Sequence, residues 1–273
     1  MLVAIVRAAH PGPAITVTVV AVLLGVAAGL DPVRIILLGL ATAFDQLSVG
    51  LSNDWLDAER DRGTGRRDKP VALGQVSATA VRAIAISTAV AAILVTIPLG
   101  LLAVVVHTIM LGSAWAYNLG LKRTAFSVAP YIVSFGLIPV LVTVALPVPA
   151  LPAWWAVAAA ALLGIAAHFA NVLPDLEDDR RTGISGLPHR LPHSVSLITV
   201  WVALVGAAIA LAFGIGFTTP LAIIGLALSA GIAVIGLLIS LRTPSRWGFR
   251  LVLLAALIDV ALLVAAGTRL LAH

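Results

Sequence analysis

The sequence has no cysteine in 273 residues. Disulfides, zinc ribbons, iron–sulfur ligation and thiol nucleophiles are excluded together. Charge is scarce too: 11% of residues are Asp, Glu, Lys or Arg, and 61% are hydrophobic. A soluble domain carries about a quarter charged and about half apolar residues. No soluble core of this length needs so little polar surface, so the chain reads as membrane-embedded. The formal net charge of +5 would suit a nucleic acid. The basic residues, however, gather in short loops between apolar runs, and no nucleic-acid partner is expected.

A membrane-spanning helix needs about 20 apolar residues. That ruler predicts about nine helices, at 13–30, 33–52, 76–97, 99–118, 126–146, 152–173, 195–215, 220–241 and 248–270. Pro98, Pro147, Pro149, Pro152 and Pro220 mark the turns between several of them. The expected architecture is an all-α polytopic bundle forming one domain over residues 1–273. The first run follows Arg7 and has the flanks of a signal peptide, but it is long enough to span. A retained first helix is therefore expected. With the N-terminus inside, every Lys and Arg except Arg34 and Arg269 falls on the cytoplasmic side, as the positive-inside rule requires. The expected location is an integral, multi-pass membrane protein.

Two polar loops, at about 53–75 and 175–194, lie on that same cytoplasmic face. Their openings repeat one pattern, N-x-x-x-D-x-E-x-D-R, from Asn53 to Arg62 and from Asn171 to Arg180. Each copy closes a helix that enters the cytoplasm, four spans apart. Parallel repeats in membrane proteins place a shared site at their interface. Two pseudo-repeats facing each other would make one pocket.

If the second helix runs on through its motif, Asn53, Asp57 and Asp61 lie at i, i+4 and i+8 on one stripe, joined by Asp54. Asn171, Asp175 and Asp179 repeat that stripe, and His168 extends it one turn earlier. Like charges so spaced destabilise a helix and call for a cation. Oxygen donors with no His–Cys set favour Mg²⁺ or Mn²⁺ over zinc. Mg²⁺ takes one or two carboxylates plus water and phosphate oxygens, so two facing clusters imply a polyphosphate substrate. The bland alternative pairs these carboxylates with neighbouring arginines on a solvated loop. A long pattern repeated at equivalent positions weighs against it. Pro174 should kink or end its helix inside the second motif.

The motifs Asn-Asp-x-x-Asp-x-x-x-Asp at 53–61 and Asp-x-x-x-Asp at 175–179 resemble those of the UbiA superfamily of intramembrane prenyltransferases. The nine spans and the stretch Tyr117-Asn118-Leu119-Gly120-Leu121-Lys122, like the family's Tyr-x-x-x-Lys element, extend the likeness over nearly the whole chain. The resemblance implies a helical bundle around a central cavity, capped on the cytoplasmic side and open sideways to lipid. It implies that Asn53, Asp57, Asp61, Asp175 and Asp179 bind Mg²⁺ and diphosphate. Asp54, Asp57, Asp175 and Lys122 then count as catalytic, with Tyr117, Lys122, Arg123, Arg62, Arg66, Arg67, Lys69 and Asn171 at the substrate. Lys69-Pro70 stands where many members carry Arg-Pro; lysine keeps the charge and loses the bidentate fork. Arg7 loosely matches the family's Arg-Pro opening and is a phosphate-ligand candidate.

The implied activity moves a prenyl group from a prenyl diphosphate to a small, aromatic acceptor. A UbiA-type terpene cyclase acting without an acceptor is the alternative. Within the spans, Asp45 and His168 are substrate-site candidates, whereas His107 and Asp259 are expected to be buried hydrogen-bonding groups. Trp55, Trp115, Tyr117, Tyr131, Phe135 and Phe169 could steady a carbocation, though packing is the commoner role of such aromatics. A phosphotransferase making phospholipids is disfavoured because its Asp-Gly-x-x-Ala-Arg element is missing. A cation transporter would place carboxylates at the bilayer midplane, not beside lysines and arginines.

Overall fold

The computed structural model describes residues 1–63, 69–176, 179, 183–242 and 246–271; the side chains of 175, 241, 242, 246, 247 and 249 lie outside that description. The described backbone is all-helical, with no strand. In chain order the helices are α1 (Leu2–Ala8), α2 (Pro11–Ala27), α3 (Pro32–Leu56), α4 (Ala58–Gly63), α5 (Ala78–Thr96) and α6 (Leu101–Leu119). There follow α7 (Ala129–Val144), α8 (Trp154–Val172), α9 (Leu187–Arg190), α10 (His193–Ile215), α11 (Pro220–Arg242) and α12 (Arg246–Ala265).

All nine predicted spans are occupied by apolar helices among the described residues: α2, α3, α5–α8 and α10–α12. Six helices are long and apolar enough to cross a bilayer on their own, and the pair α1–α2, bent by 67°, is a seventh. α7, with 16 residues, and α12 are the two of the nine outside that set.

Local chemistry sets the helix starts. Pro11, Pro32 and Pro220 open α2, α3 and α11, where the missing N–H costs nothing. The Asp31 carboxylate accepts from Val33 N and Arg34 N to cap α3, and Ser77 accepts from Ala80 N to cap α5. α8 ends at Val172, and Leu173–Asp175 form a 3₁₀ turn. Pro174 accounts for that break, as expected, because it has no N–H to donate to the preceding turn and its ring crowds the carbonyl four residues back.

Packing runs round the bundle. α2 lies on α3, α3 on α5 and α6, α6 on α7, α7 on α8, α8 on α10, α10 on α11 and α11 on α12. α12 then returns to α2 and closes the ring. α8 and α10 are its most buried members, each 61% buried, and α5 is 22% buried on the rim. Small residues set the closest approaches. A Cβ on Gly164 of α8 would lie 2.5 Å from the Tyr131 carbonyl oxygen and 2.9 Å from Phe135 Cβ on α7. At Gly50 of α3 a Cβ would collide with the Ala9 backbone, which seats the end of α1 on α3.

Gly164→Leu should force α7 and α8 apart and carry Tyr131 out of place. Overpacking of this kind costs about 1–3 kcal/mol. A lowered unfolding temperature in detergent, measured by intrinsic tryptophan fluorescence, is the expected result.

Candidate active site

α3 and α6 run parallel, and a polar seam joins them along their shared face. Deep in the bundle the Asp45 carboxylate accepts from Gln46 Nε2 at 2.8 Å and stands 3.8 Å from His107 Nε2. His107 Nδ1 in turn is 2.7 Å from Thr96 Oγ1. Nearer the cytoplasmic end predicted from sequence, Trp115 Nε1 donates to Ser48 Oγ at 3.0 Å. Asn118 Nδ2 donates to Ser52 Oγ at 2.8 Å, and Asn53 Nδ2 donates to Asn118 Oδ1 at 3.3 Å. The seam ends where Lys122 Nζ donates to both Asp57 oxygens at 2.6 Å.

That last pair is almost wholly buried, with Lys122 and Asp57 side chains 5% and 3% exposed. Burial pushes the Lys122 ammonium down from the usual lysine range, and the Asp57 carboxylate pulls it back up. Asp57 also accepts from Arg60 Nη2 at 3.1 Å and from Asn53 Nδ2 at 3.2 Å. Arg60 bridges onward to Asp61 Oδ1 at 3.1 Å. α3 stops at Asp57, so Asp61 sits on α4 and not on one unbroken stripe. The bridging guanidinium nevertheless keeps the two carboxylates together.

A second cation fills the other side of the first motif. Lys69 Nζ donates to Asn53 Oδ1 at 3.1 Å and lies 3.5 Å from Asp54 Oδ1 and 3.1 Å from His10 Nε2. Asp54 Oδ2 accepts from Val71 N at 3.1 Å, pinning the returning loop. His10 holds a left-handed backbone, φ 52°, at the bend between α1 and α2. Arg7, the candidate from sequence, is exposed. His10 is the N-terminal group that reaches the site.

The second motif is joined to the Lys122 segment through Ser127. Ser127 Oγ accepts from Leu187 N at 2.8 Å and lies 3.1 Å from His168 Nε2. Ser185 Oγ donates to the Arg123 carbonyl at 3.0 Å. A Cβ on Gly186 would lie 2.7 Å from the Lys122 carbonyl oxygen, so a larger residue cannot dock there. On this seated segment His189 Nε2 is 3.2 Å from Asp179 Oδ2. Tyr117 lies within electrostatic reach of both Asp57 and Asp179, so both acidic segments come near this ring.

Around Tyr117 is an aromatic box. The Tyr131 ring is 5.3 Å from Tyr117, 4.8 Å from His168 and 6.1 Å from Phe135, centroid to centroid. Tyr117 and Asn171 lie next to the Tyr131 hydroxyl.

The structure thus gathers Asn53, Asp54, Asp57, Asp61, Lys69 and Lys122 at the first motif. Tyr117, His168 and Asn171 join them at the box, with Asp179 within electrostatic reach of Tyr117. Arg62 and Arg123 are exposed. Asp45 lies two helical turns deeper, against α6. Arg66, Arg67 and the Asp175 side chain lie outside the described residues. Asn118, Arg60, His10, Ser127 and His189 were missed from sequence. Asn118 was legible, since His107, Leu111, Trp115, Asn118 and Lys122 share one helical stripe. His10, Ser127 and His189 sit at bends or in short segments, where no periodicity marks them.

Among the described residues no three Asp, Glu or His side chains gather closely enough to hold a metal ion. The donor chemistry nevertheless fits one. The acidic segments offer oxygen ligands, and the buried Asp57 carboxylate already draws two cationic groups of the protein itself. Oxygen donors of this kind are what a hard divalent cation takes.

A sequence model of the UbiA prenyltransferase family matches residues 14–268. The chain belongs to the UbiA prenyltransferase family. It is accordingly an integral, multi-pass membrane protein. Solved UbiA-fold structures superimpose over almost its full length. A digeranylgeranylglyceryl phosphate synthase aligns with a TM-score of 0.71 at 15% identity, covering 98% of this chain and 99% of that one. A UbiA homologue from Archaeoglobus fulgidus bound to GPP and Mg²⁺ gives 0.71 at 14% identity, covering 96% and 99%. The apo homologue from Aeropyrum pernix K1 gives 0.70 at 17%, covering 91% and 97%. At such identities the likeness is one of fold. No curated protein matches the chain by sequence.

Lys122→Met should leave the buried Asp57 carboxylate to Arg60 and Asn53, at a cost of about 3–5 kcal/mol for breaking a buried pair. Adding Asp57→Asn to it should recover at least ~1 kcal/mol of that loss, because the uncompensated charge goes too. Denaturant unfolding of both variants in detergent measures the difference.

Proposed function

We propose that this UbiA-family protein is a Mg²⁺-dependent prenyltransferase that passes the prenyl group of a prenyl diphosphate to a small aromatic acceptor and releases diphosphate. The reading is carried by one juxtaposition: buried carboxylates interleaved with Lys122, Arg60 and Lys69, beside an aromatic box. The donor class is supported by the Archaeoglobus fulgidus homologue, which is bound in separate structures to GPP with Mg²⁺ and to DMAPP with Mg²⁺.

Asn53, Asp57, Asp61, Asp175 and Asp179 would hold the metal. When bound, Mg²⁺ neutralises the leaving diphosphate as a Lewis acid. The chain's own contribution begins with its cations. Lys122, Lys69 and Arg60 are already ordered by hydrogen bonds, so they can meet phosphate oxygens with little reorganisation. Arg62, Arg66, Arg67 and Arg123 add positive charge at the mouth. Lys122 must carry its proton for this task, and its lowered pKa predicts that activity fades on the alkaline side earlier than an ordinary lysine would allow.

Below the diphosphate, Tyr117, Tyr131 and Phe135 offer ring faces to the allylic carbon as positive charge develops there. The surrounding apolar helices keep out the water that would quench it. The site loops and the N-terminus lie on the cytoplasmic side in this reading, supported by the distribution of lysine and arginine.

Purified protein in detergent, incubated with Mg²⁺, geranyl diphosphate and a panel of acceptors, tests the proposal. Asp57→Ala and Asp175→Ala should each lower prenyl transfer at least ~100-fold, the scale of losing a transition-state charge contact. Near-normal transfer in either variant would sink the assignment. A cyclic hydrocarbon formed without any acceptor would make the protein a cyclase instead.

A further inference from the structure

Asn118 stands between the acidic site and the polar seam beneath it. It is 5% exposed, on the last turn of α6, and its carboxamide meets three residues of α3. Nδ2 donates to the Val49 carbonyl at 2.9 Å and to Ser52 Oγ at 2.8 Å. Oδ1 accepts from Asn53 Nδ2 at 3.3 Å.

The two ends of a side-chain amide are alike in shape, so its neighbours decide which end faces which way. Here the choice is forced. A carbonyl oxygen can only accept, and the Val49 carbonyl therefore takes the amino end of Asn118. Ser52 Oγ donates its single hydrogen to that same Val49 carbonyl at 2.9 Å, so toward Asn118 it too can only accept. Both hydrogens of Asn118 Nδ2 are used on this edge. Oδ1 is left for the other edge, where only a donor can meet it. Asn53 must present its amino end.

That requirement orients the second amide. With Nδ2 turned to Asn118 Oδ1 and to Asp57 Oδ2, the latter at 3.2 Å, the oxygen of Asn53 faces the opposite way. Lys69 Nζ meets it there at 3.1 Å and lies 3.5 Å from Asp54 Oδ1. An ammonium can only donate, so the edge of Asn53 that it touches is the edge open to a cation. Mg²⁺ is held by oxygen, and an amino group in the same place would repel it. Three neighbours agree on this orientation, but two of them have other work in the proposed reaction. Asp57 goes to the metal and Lys69 to the diphosphate. The partners of Asn118 all lie on α3, so its hold persists.

We infer that Asn118 is a positioning residue for the metal site: it keeps Asn53 Oδ1, and not Nδ2, turned toward the cation while Asp57 and Lys69 change partners. This role rests on the Mg²⁺-dependent prenyl-transfer reading and adds to it a residue outside the ligand set. Without Asn118 the bound-state amide is free to turn over, and every molecule that shows Nδ2 outward has lost a ligand.

Mn²⁺, which takes octahedral oxygen sites as Mg²⁺ does, is the probe. The free ion is counted by electron paramagnetic resonance during titration of the protein in detergent, alone and with geranyl diphosphate. Detergent with geranyl diphosphate and no protein is the blank. Asn118→Leu should weaken Mn²⁺ binding about tenfold, the scale on which a group that orients a ligand acts. Asn53→Ala should weaken it at least as much. The double variant should bind within about twofold of Asn53→Ala, because Asn118 acts only through Asn53. In assays of geranyl diphosphate consumption, Asn118→Leu should raise the Mg²⁺ concentration giving half the maximal rate, and excess Mg²⁺ should restore most of that rate. A merely structural asparagine would lower the unfolding temperature and the yield of active protein without moving the Kd. If Asn118→Leu is poorly folded, Asn118→Ser takes its place: it keeps a hydroxyl in the seam but is too short to reach Asn53.

An unchanged Kd in the Asn118 variant, an unchanged Kd in Asn53→Ala, or two losses that add in the double variant would overturn the role of Asn118 and leave prenyl transfer standing. A wild type that binds Mn²⁺ neither alone nor with geranyl diphosphate, or that consumes no geranyl diphosphate with Mg²⁺, overturns the Mg²⁺-dependent reading itself and this role with it.

Discussion

A carboxylate taken out of water needs a positive partner, and Asp57 lies where little water reaches it. Lys122 meets both of its oxygens at 2.6 Å, from a short segment beyond the end of α6. Much of the site follows from that requirement. Lys122 reaches Asp57 only if α6 ends level with α3, and the register of the two helices is set by the polar contacts beneath. Asn118 between Ser52 and Asn53, Trp115 on Ser48 and His107 beside Asp45 all fix that register. In a bilayer, where apolar surfaces give little directional information, such contacts do the aligning.

The two acidic segments are built by different means. The first straddles the break between α3 and α4 and is braced by Lys122, Arg60 and Lys69. The second follows a helix broken by Pro174, and among the described residues the chain beyond it is tied to the bundle through Leu187 on Ser127 and Ser185 on Arg123.

Much of this was legible before any coordinates. The nine apolar helices fall where hydropathy places them, because a bilayer imposes length and composition on each span. The N-x-x-x-D-x-E-x-D-R repeat pointed to Asn53, Asp57 and Asp61, and Pro174 ended its helix as its ring demands. Length alone would miss α7, which has 16 residues. What sequence could not give were contacts made across long separations by residues in bends. His10 meets Lys69 and Ser127 meets Leu187 only because the ring of helices brings their segments together. The continuous stripe expected for Asn53, Asp57 and Asp61 was also too simple, since local spacing cannot reveal that α3 stops at Asp57.

Parallel neighbours such as α3 and α6 cannot be joined by a tight turn; the chain must first travel back across the bilayer. α5 makes that return journey on the outside of the ring, turning only Val81, Ala85, Ala92 and Thr96 fully inward. Selection on the rest of its surface asks for little more than compatibility with lipid. Evolutionary drift should accordingly concentrate on this helix, with any greasy residue accepted on its outer side and only small ones where it leans on α3.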